Sequence, residues 1–338
     1  MIRMLRKPRR AFSSAGTGRR PRSRARERGL TLAEMLVALA VGLVTVLAAG
    51  RLLLFATTAQ AAQAEQSAID DGGRYAFELI GRAVRQAGFV DPAILAAPDP
   101  GAVLDAAPAA IAGLDAHTLA RTPAALDSPL PDQVNGSDVL ALRFAGAGAG
   151  TAGDGSMASC AGFAVAQGEE GWSIFYVARN SEGEAELYCK YRGASNWSAD
   201  ALVSGVDGFQ VLYGLDTDTP PDGVPNRYVN ADAIRALDAA LPAGLPAAEF
   251  NRRTWWKRVA SVHLGLLLHG GRATRAAPGS DMYHLLGPGA ADPLDAGSSL
   301  DESAMTPEQR RRERRLFSMS FALQRPLSGP APVPGAPP

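Results

Sequence analysis

The chain has 338 residues, 46% of them hydrophobic, which is enough to bury a sizeable core. Its 34 basic and 34 acidic residues cancel overall, but residues 1–29 hold eleven Arg and Lys against the single acid Glu27, so the remainder carries the compensating negative charge. A basic head from Arg3 to Arg28 followed at once by an apolar run reads as the cytoplasmic flank of a membrane segment rather than a grip for nucleic acid.

The apolar run Leu30–Gly50, LTLAEMLVALAVGLVTVLAAG, carries one charge, Glu34. At about 1.5 Å per residue these residues span roughly 31 Å as a helix, close to the hydrocarbon thickness of a bilayer. A cleaved secretory signal would have a shorter core ending in a small-x-small site, without an acid near its start. The pair Arg9-Arg10 suggests twin-arginine export, but the apolar core begins well downstream and contains that acid. A carboxylate within such a helix costs up to about 3 kcal/mol at depth unless it is paired, so Glu34 implies a partner. The next basic residue is Arg51.

Cleavage between Gly29 and Leu30 would create a new α-amino group and make Glu34 the fifth residue of the shortened chain. The residues Arg28-Gly29-Leu30-Thr31-Leu32-Ala33-Glu34, with the basic flank before them and the uninterrupted apolar helix after, resemble the signal of type IV prepilins. The resemblance implies that residues 1–29 are a leader removed by a prepilin peptidase. It also implies that the new N-terminus is methylated, and that Glu34 pairs with the N-terminal amine of a neighbouring subunit during assembly. Leu30 stands where Phe or Met is commoner in that family.

Residues 30–55 are expected to cross the membrane and residues 56–88 to continue as an amphipathic helix. Ala76, Leu79, Ile80, Ala83, Val84 and Ala87 recur at three and four residues, with Arg74, Glu78, Arg82 and Arg85 opposite. Glu78 and Arg82 have the favourable order for an i,i+4 pair. Gly72-Gly73 is the expected weak point. Residues 91–135, rich in Ala, Pro and Asp, read as a loop-rich excursion.

Strand-like stretches follow at 138–144, 172–177, 186–191, 209–213, 259–268 and 316–323. In the last of these Phe317, Met319, Phe321 and Leu323 share one face, as do Val262, Leu264, Leu266 and Leu268 in the one before it. The expected fold is α+β and pilin-like, a long N-terminal α-helix packed on an antiparallel β-sheet head over residues 89–326. Residues 327–338 form a Pro-rich tail too poor in hydrophobes to fold by itself.

Several head segments resemble the PilW-like minor pilins: DGGRYAFELIGRAVRQAG at 71–88, VDGFQVLYGLDTD at 206–218, RYVNA at 227–231, WKRVASVHLGLLLH at 256–269 and RLFSMSFAL at 315–323. That resemblance implies a minor pilin that helps prime or assemble the pilus. Such a protein would be anchored in the bacterial inner membrane by a single pass, with its head in the periplasm, before incorporation near the pilus tip at the cell surface. Its partners would be other minor and major pilins, the prepilin peptidase, the inner-membrane assembly platform and membrane lipid, with no role for nucleic acid. A type II secretion minor pseudopilin of the J type shares the signal and general fold. A membrane-anchored adhesin or enzyme is the reading from a different class.

Cys160 and Cys189 are the only cysteines and both lie on the extracytoplasmic side, so they are expected to form one disulfide. His117, His263, His269 and His284 show no metal-ligand spacing on one element, His284 falling in a loop, and no nucleophile elbow, phosphate-cradling loop or zinc knuckle is present. Neither enzymatic activity nor a cofactor is therefore expected. Asp216, Asp218 and Asp222 form a minor candidate calcium loop, although Pro220 and Pro221 displace the third acid. The run Arg310-Arg311-Arg312-Glu313-Arg314-Arg315 reads as a solvated approach to the last strand.

Overall fold

The computed structural model describes residues 29–131, 134–151, 153–290 and 294–324. Residues 1–28, within the expected leader, and residues 325–338, which include the expected Pro-rich tail, lie outside the described residues. The chain divides into two compact units, Met1–Ala56 and Thr57–Pro338. Helix α1 (Leu32–Gln86) contributes to both.

In the first unit, every α1 residue is exposed and, apart from Glu34 and Arg51, the large side chains are apolar, Met35, Leu39, Val44 and Leu53 among them. The most apolar window of α1 has a mean hydropathy of 2.3 and no buried residue, so the helix is long and apolar enough to cross a membrane. The Thr45 hydroxyl donates to the Val41 carbonyl at 2.8 Å, which satisfies it within the helix.

In the second unit, most of the residues expected on the apolar face are buried, Ala76, Ile80, Ala83 and Val84 in α1 and Ala87 just after it, joined by Ile69 and Phe77, while Leu79 is half-buried. Arg74, Glu78, Arg82 and Arg85 are exposed, with Glu78 and Arg82 at 3.6 Å in the expected pair. Beyond α1 come α2 (Pro92–Leu95), α3 (Pro100–Ala106), β1 (Ile111–Leu114) and the short pair β2 (His117–Thr118) and β3 (Leu130–Pro131). Strands β4 (Val139–Ala145), β5 (Glu170–Arg179), β6 (Ala185–Arg192) and β7 (Trp197–Ser204) follow, and with β1 they form a five-stranded antiparallel sheet in the order β1-β4-β5-β6-β7. Next in the chain are β8 (Val206–Leu215), β9 (Arg227–Val229), α4 (Ala231–Ala239), α5 (Ala247–Arg253), β10 (Val259–Ala273), β11 (Met282–His284), β12 (Ser299–Asp301) and β13 (Arg312–Ala322). The second sheet is ordered β13-β10-β8-β9, and β11 pairs with β12 alone.

The head thus has two main sheets where the sequence suggests one. Their inner faces share a core with α1: Leu140, Leu142, Phe175, Val177 and Leu187 from the first sheet meet Phe209, Val211, Val262, Leu264 and Leu266 from the second. The five-stranded sheet is covered on its other face too. There Ile174, Tyr176, Val139 and Ala141 pack with Leu119, Ala125 and Leu126 from the stretch expected to be a loop excursion. That stretch also supplies β1, whose four residues pair with β4 from Ile111↔Leu142 to Leu114↔Val139. Four residues are too few for period 2 to stand out, and the strand exists because β4 offers it an edge.

Gly73 is not a weak point in the helix. A Cβ there would overlap the Phe317 ring, and one at Gly81 would overlap Phe321. Phe77, midway between the two glycines, lies 6.5 Å from Phe317 and 6.2 Å from Phe321, ring centroid to centroid. The sequence Gly73-x3-Phe77-x3-Gly81 is therefore a socket for two rings of β13, because residues four apart lie on one helix face. Gly73→Val is expected to destabilise the head by about 1–3 kcal/mol through overpacking, and Phe317→Ala in the same chain should recover part of the loss. Urea unfolding checks this, and additive losses in the double variant would refute the socket.

Candidate functional site

The N-terminal end of α1 is the first place where chemistry gathers. Leu30 is 84% exposed and the space around Gly29 is open. Thr31 precedes the first helical residue, and its hydroxyl oxygen accepts from the Glu34 N–H at 3.2 Å. In return Glu34 Oε2 accepts from the Thr31 N–H at 2.9 Å and from the Thr31 hydroxyl at 3.0 Å. This reciprocal pair is a capping box, two otherwise orphaned helix donors being satisfied by side chains three residues apart. Glu34 therefore has a partner inside its own chain, where the sequence reading looked only for a cation. The pattern T-x-x-E before an apolar run was legible and carries this role.

Cys160 and Cys189 are joined as a disulfide, with their Cα atoms 5.9 Å apart. Cys189 lies in β6 opposite Phe175 of β5 and Asp200 of β7. Cys160 ends a Gly-rich stretch outside the sheets, and its N–H donates to the Ser173 hydroxyl at 2.9 Å. Both half-cystines belong to the buried core, so the bond ties an irregular loop to the middle of the first sheet.

The family described as Type IV Pilus-assembly protein W matches residues 174–324, which run from β5 to just past β13. The motif described as the prokaryotic N-terminal methylation motif matches residues 24–50, which contain Gly29, Leu30 and Glu34. The chain is a PilW-like type IV pilin. No curated protein matches it. Among solved structures, a type IV-like pilin from Thermus thermophilus is 12% identical, with 75% of this chain and 95% of that one covered and a TM-score of 0.36. Four of the five head segments that resemble PilW-like proteins fall within the matched stretch, and residues 71–88 fall outside both matches.

In this PilW-like pilin the other candidate residues make contacts within the head. The carboxylates of Asp216, Asp218 and Asp222 come within 4.8 Å of one another. Asp216 is buried and accepts from the Gly223 N–H at 2.7 Å and the Asp218 N–H at 3.1 Å. Asp222 accepts from the Val224 N–H at 2.8 Å, and Asp218 from the Asn226 side-chain amide at 3.1 Å. These oxygens hold the turn between β8 and β9.

The arginine run is not a solvated approach. Arg314 is buried, donating to Asp207 at 2.7 Å and to the fully buried Glu302 at 2.8 Å. Arg275 reaches the same Glu302 oxygen at 2.8 Å. Arg312 lies 3.4 Å from Glu184, Arg310 donates to the Gly279 carbonyl at 2.6 Å, and Arg315 pairs with Asp70 of α1. The run therefore fastens the 274–311 connection and α1 to the second sheet. Only Arg311 and Arg315 in it are exposed.

The histidines are dispersed. His269 has a mostly buried side chain 3.0 Å from Glu184, His263 sits between Ser318 and Ser320, and His117 bonds the Asp115 carbonyl. His284 ends β11 instead of lying in a loop, and bonds Ser299 at 2.8 Å.

Three buried charges escaped the sequence reading. Asp115 accepts from the Ala231 and Asp232 N–H groups at 3.0 and 2.6 Å, capping α4 from the bend between β1 and β2, and burial pushes its pKa up to about 6. Asp138 accepts from Ala116 at 3.1 Å and Val211 at 2.9 Å, which links the two sheets, and burial followed by the nearby Asp115 charge raises it well above the carboxylate range. Lys190 donates to the Ala125 carbonyl at 2.9 Å beneath Trp197, and burial lowers it to about 8. Each ties chain segments far apart in sequence, and no local pattern marks such a residue.

Proposed function

We propose that this chain is a minor type IV pilin that helps prime or assemble the pilus, held in the inner membrane by α1 before incorporation near the tip. The carrying observation is the methylation motif over residues 24–50, with Glu34 at its fifth position after Gly29, on an exposed apolar helix and ahead of a PilW-type head. The prepilin peptidase cleaves between Gly29 and Leu30, the new amine is methylated, and the chain then joins other pilins through the assembly platform. The head stays on the periplasmic side, where the Cys160–Cys189 bond is stable to the redox conditions.

Gly29→Val is expected to leave the full-length precursor in the membrane. The N-terminal sequence of the membrane-bound protein reads this directly, and a chain starting at Leu30 in that variant, with active peptidase present, would falsify the assignment.

Glu34 has two separable roles, completing the capping box and offering a negative charge to a neighbour's amine. Glu34→Gln keeps the capping oxygen and loses the charge, whereas Glu34→Val loses both. Both variants should be processed, and both should enter pili poorly in a strain lacking the wild-type copy. Normal incorporation of Glu34→Gln, measured in sheared pilus fractions, would show that the cap matters and the charge does not.

A further inference from the structure

Arg51 interrupts the apolar surface of α1. It is exposed, and the residues three and four places away on the helix, Leu47, Ala48, Leu54 and Phe55, are all apolar, so no neighbouring side chain on its own helix is placed to pair with it. After Gly29 the next basic residue beyond Arg51 is Arg74. A single guanidinium thus stands in a helical surface that is otherwise suited to lipid.

Its position matches the thickness of a bilayer. From Leu30 to Arg51 a helix rises about 32 Å, so with Leu30 at the cytoplasmic border of the hydrocarbon Arg51 falls at the headgroups of the opposite leaflet. The apolar run continues past it, because residues 52–55 are Leu, Leu, Leu and Phe and are 66–73% exposed. Residues 30–56 together would rise about 40 Å, which is more than the hydrocarbon layer accommodates without tilt. Two placements of the helix therefore compete, and Arg51 decides between them. Burying residues 52–55 would draw the guanidinium into hydrocarbon, where an unpaired charge is costly. Nor can the side chain escape outward, because the Cα–Cβ bonds of a helix lean toward its N-terminus, here toward the bilayer centre. The backbone at Arg51 must stand level with the phosphates. A guanidinium there can bond one phosphate group through two parallel N–H donors.

We propose that Arg51 binds the phosphate of a phospholipid headgroup in the periplasmic leaflet, and that this contact sets the depth of α1 and keeps residues 52–55 in the headgroup layer. The proposal rests on the reading of α1 as a membrane span.

The test puts a nitroxide label on Leu53→Cys, or on Val44→Cys as a depth reference, in the full chain reconstituted in phosphatidylethanolamine–phosphatidylglycerol vesicles. Collision rates with oxygen and with a water-soluble nickel chelate report the depth of the label. Cys160 and Cys189 are joined to each other and take no label. The Leu53 label is expected to meet the chelate. Adding Arg51→Leu should let the helix sink and lower that rate about threefold, whereas Arg51→Lys, which keeps a cation for the phosphate, should leave it unchanged. Solid-state NMR reads the contact itself: dephasing of arginine guanidinium carbons by lipid phosphorus should be smaller in Arg51→Gln than in the unaltered chain. An equal chelate rate in Arg51→Leu, or equal dephasing in Arg51→Gln, with the Val44 label still in the hydrocarbon, would overturn the proposal and leave the span standing. A Val44 label that meets the chelate would overturn the span and the proposal with it.

Discussion

Replacing Arg314 with alanine is expected to destabilise the head by about 3–5 kcal/mol, the range found when one partner of a buried ion pair is removed. Its side chain is 1% exposed and lies between Asp207 and Glu302, the latter with no exposed surface. Glu302 keeps Arg275 in the variant, but Asp207 is left with only the His269 ring, at 3.8 Å, among the bridges described. A carboxylate stripped of its guanidinium in a dry setting loses both Coulomb attraction and a charge-assisted hydrogen bond. The adjacent Arg315 is the internal control. It is exposed and pairs with Asp70 at the surface, so Arg315→Ala should cost no more than about 1 kcal/mol. Urea unfolding of the two single variants compares them directly, and equal losses would remove the distinction between the buried and exposed members of the run.

Opening the disulfide should cost nearly as much. Cys160 and Cys189 are 29 residues apart, and releasing a loop of that length restores chain entropy to the unfolded state worth roughly 3–4 kcal/mol. The segment that the bond tethers, between β4 and β5, contributes Met157 and Val165 to a smaller apolar cluster with Phe144 of β4. Without the covalent tie that cluster, the Ser173 contact to Cys160, the Phe163–Tyr191 ring pair and the Gln86 bond to the Ser156 carbonyl remain to hold the segment. The replacement Cys160→Ala with Cys189→Ala, measured against the oxidised protein by urea unfolding, is expected to show the loss, and the reduced wild type should match the double variant. An unchanged unfolding midpoint would mean the bond carries no structural weight. A free-thiol label reacting with both cysteines in protein purified from membranes would mean it does not form there.

These effects mark the boundary between what local sequence encodes and what it does not. The apolar half of α1, its amphipathic continuation and the six strand-like stretches each announce themselves by a period of 3.6 or 2 or by an unbroken apolar run. All of them were placed to within a few residues in the structure, although β10 and β13 extend beyond the stretches read from sequence. The T-x-x-E box at residues 31–34 was equally local and needed only to be read as a cap. The pairing of the two cysteines could be read by counting.

Tertiary structure decided the rest. Arg314 and Arg315 are neighbours in one basic run, yet one is buried and the other is exposed, because strand alternation sends them to opposite faces and only one face is covered by the 274–311 connection. Gly73 looks like a helix breaker until Phe317, far along the chain, fills the space its missing side chain leaves. β1 becomes a strand because β4 is there to pair with it, and Asp115 becomes a helix cap because the fold brings α4 to it. In each case the deciding partner lies far away in sequence, so the residue carries no periodic or compositional mark of its role, and burial is a property the chain acquires only when distant segments close over it.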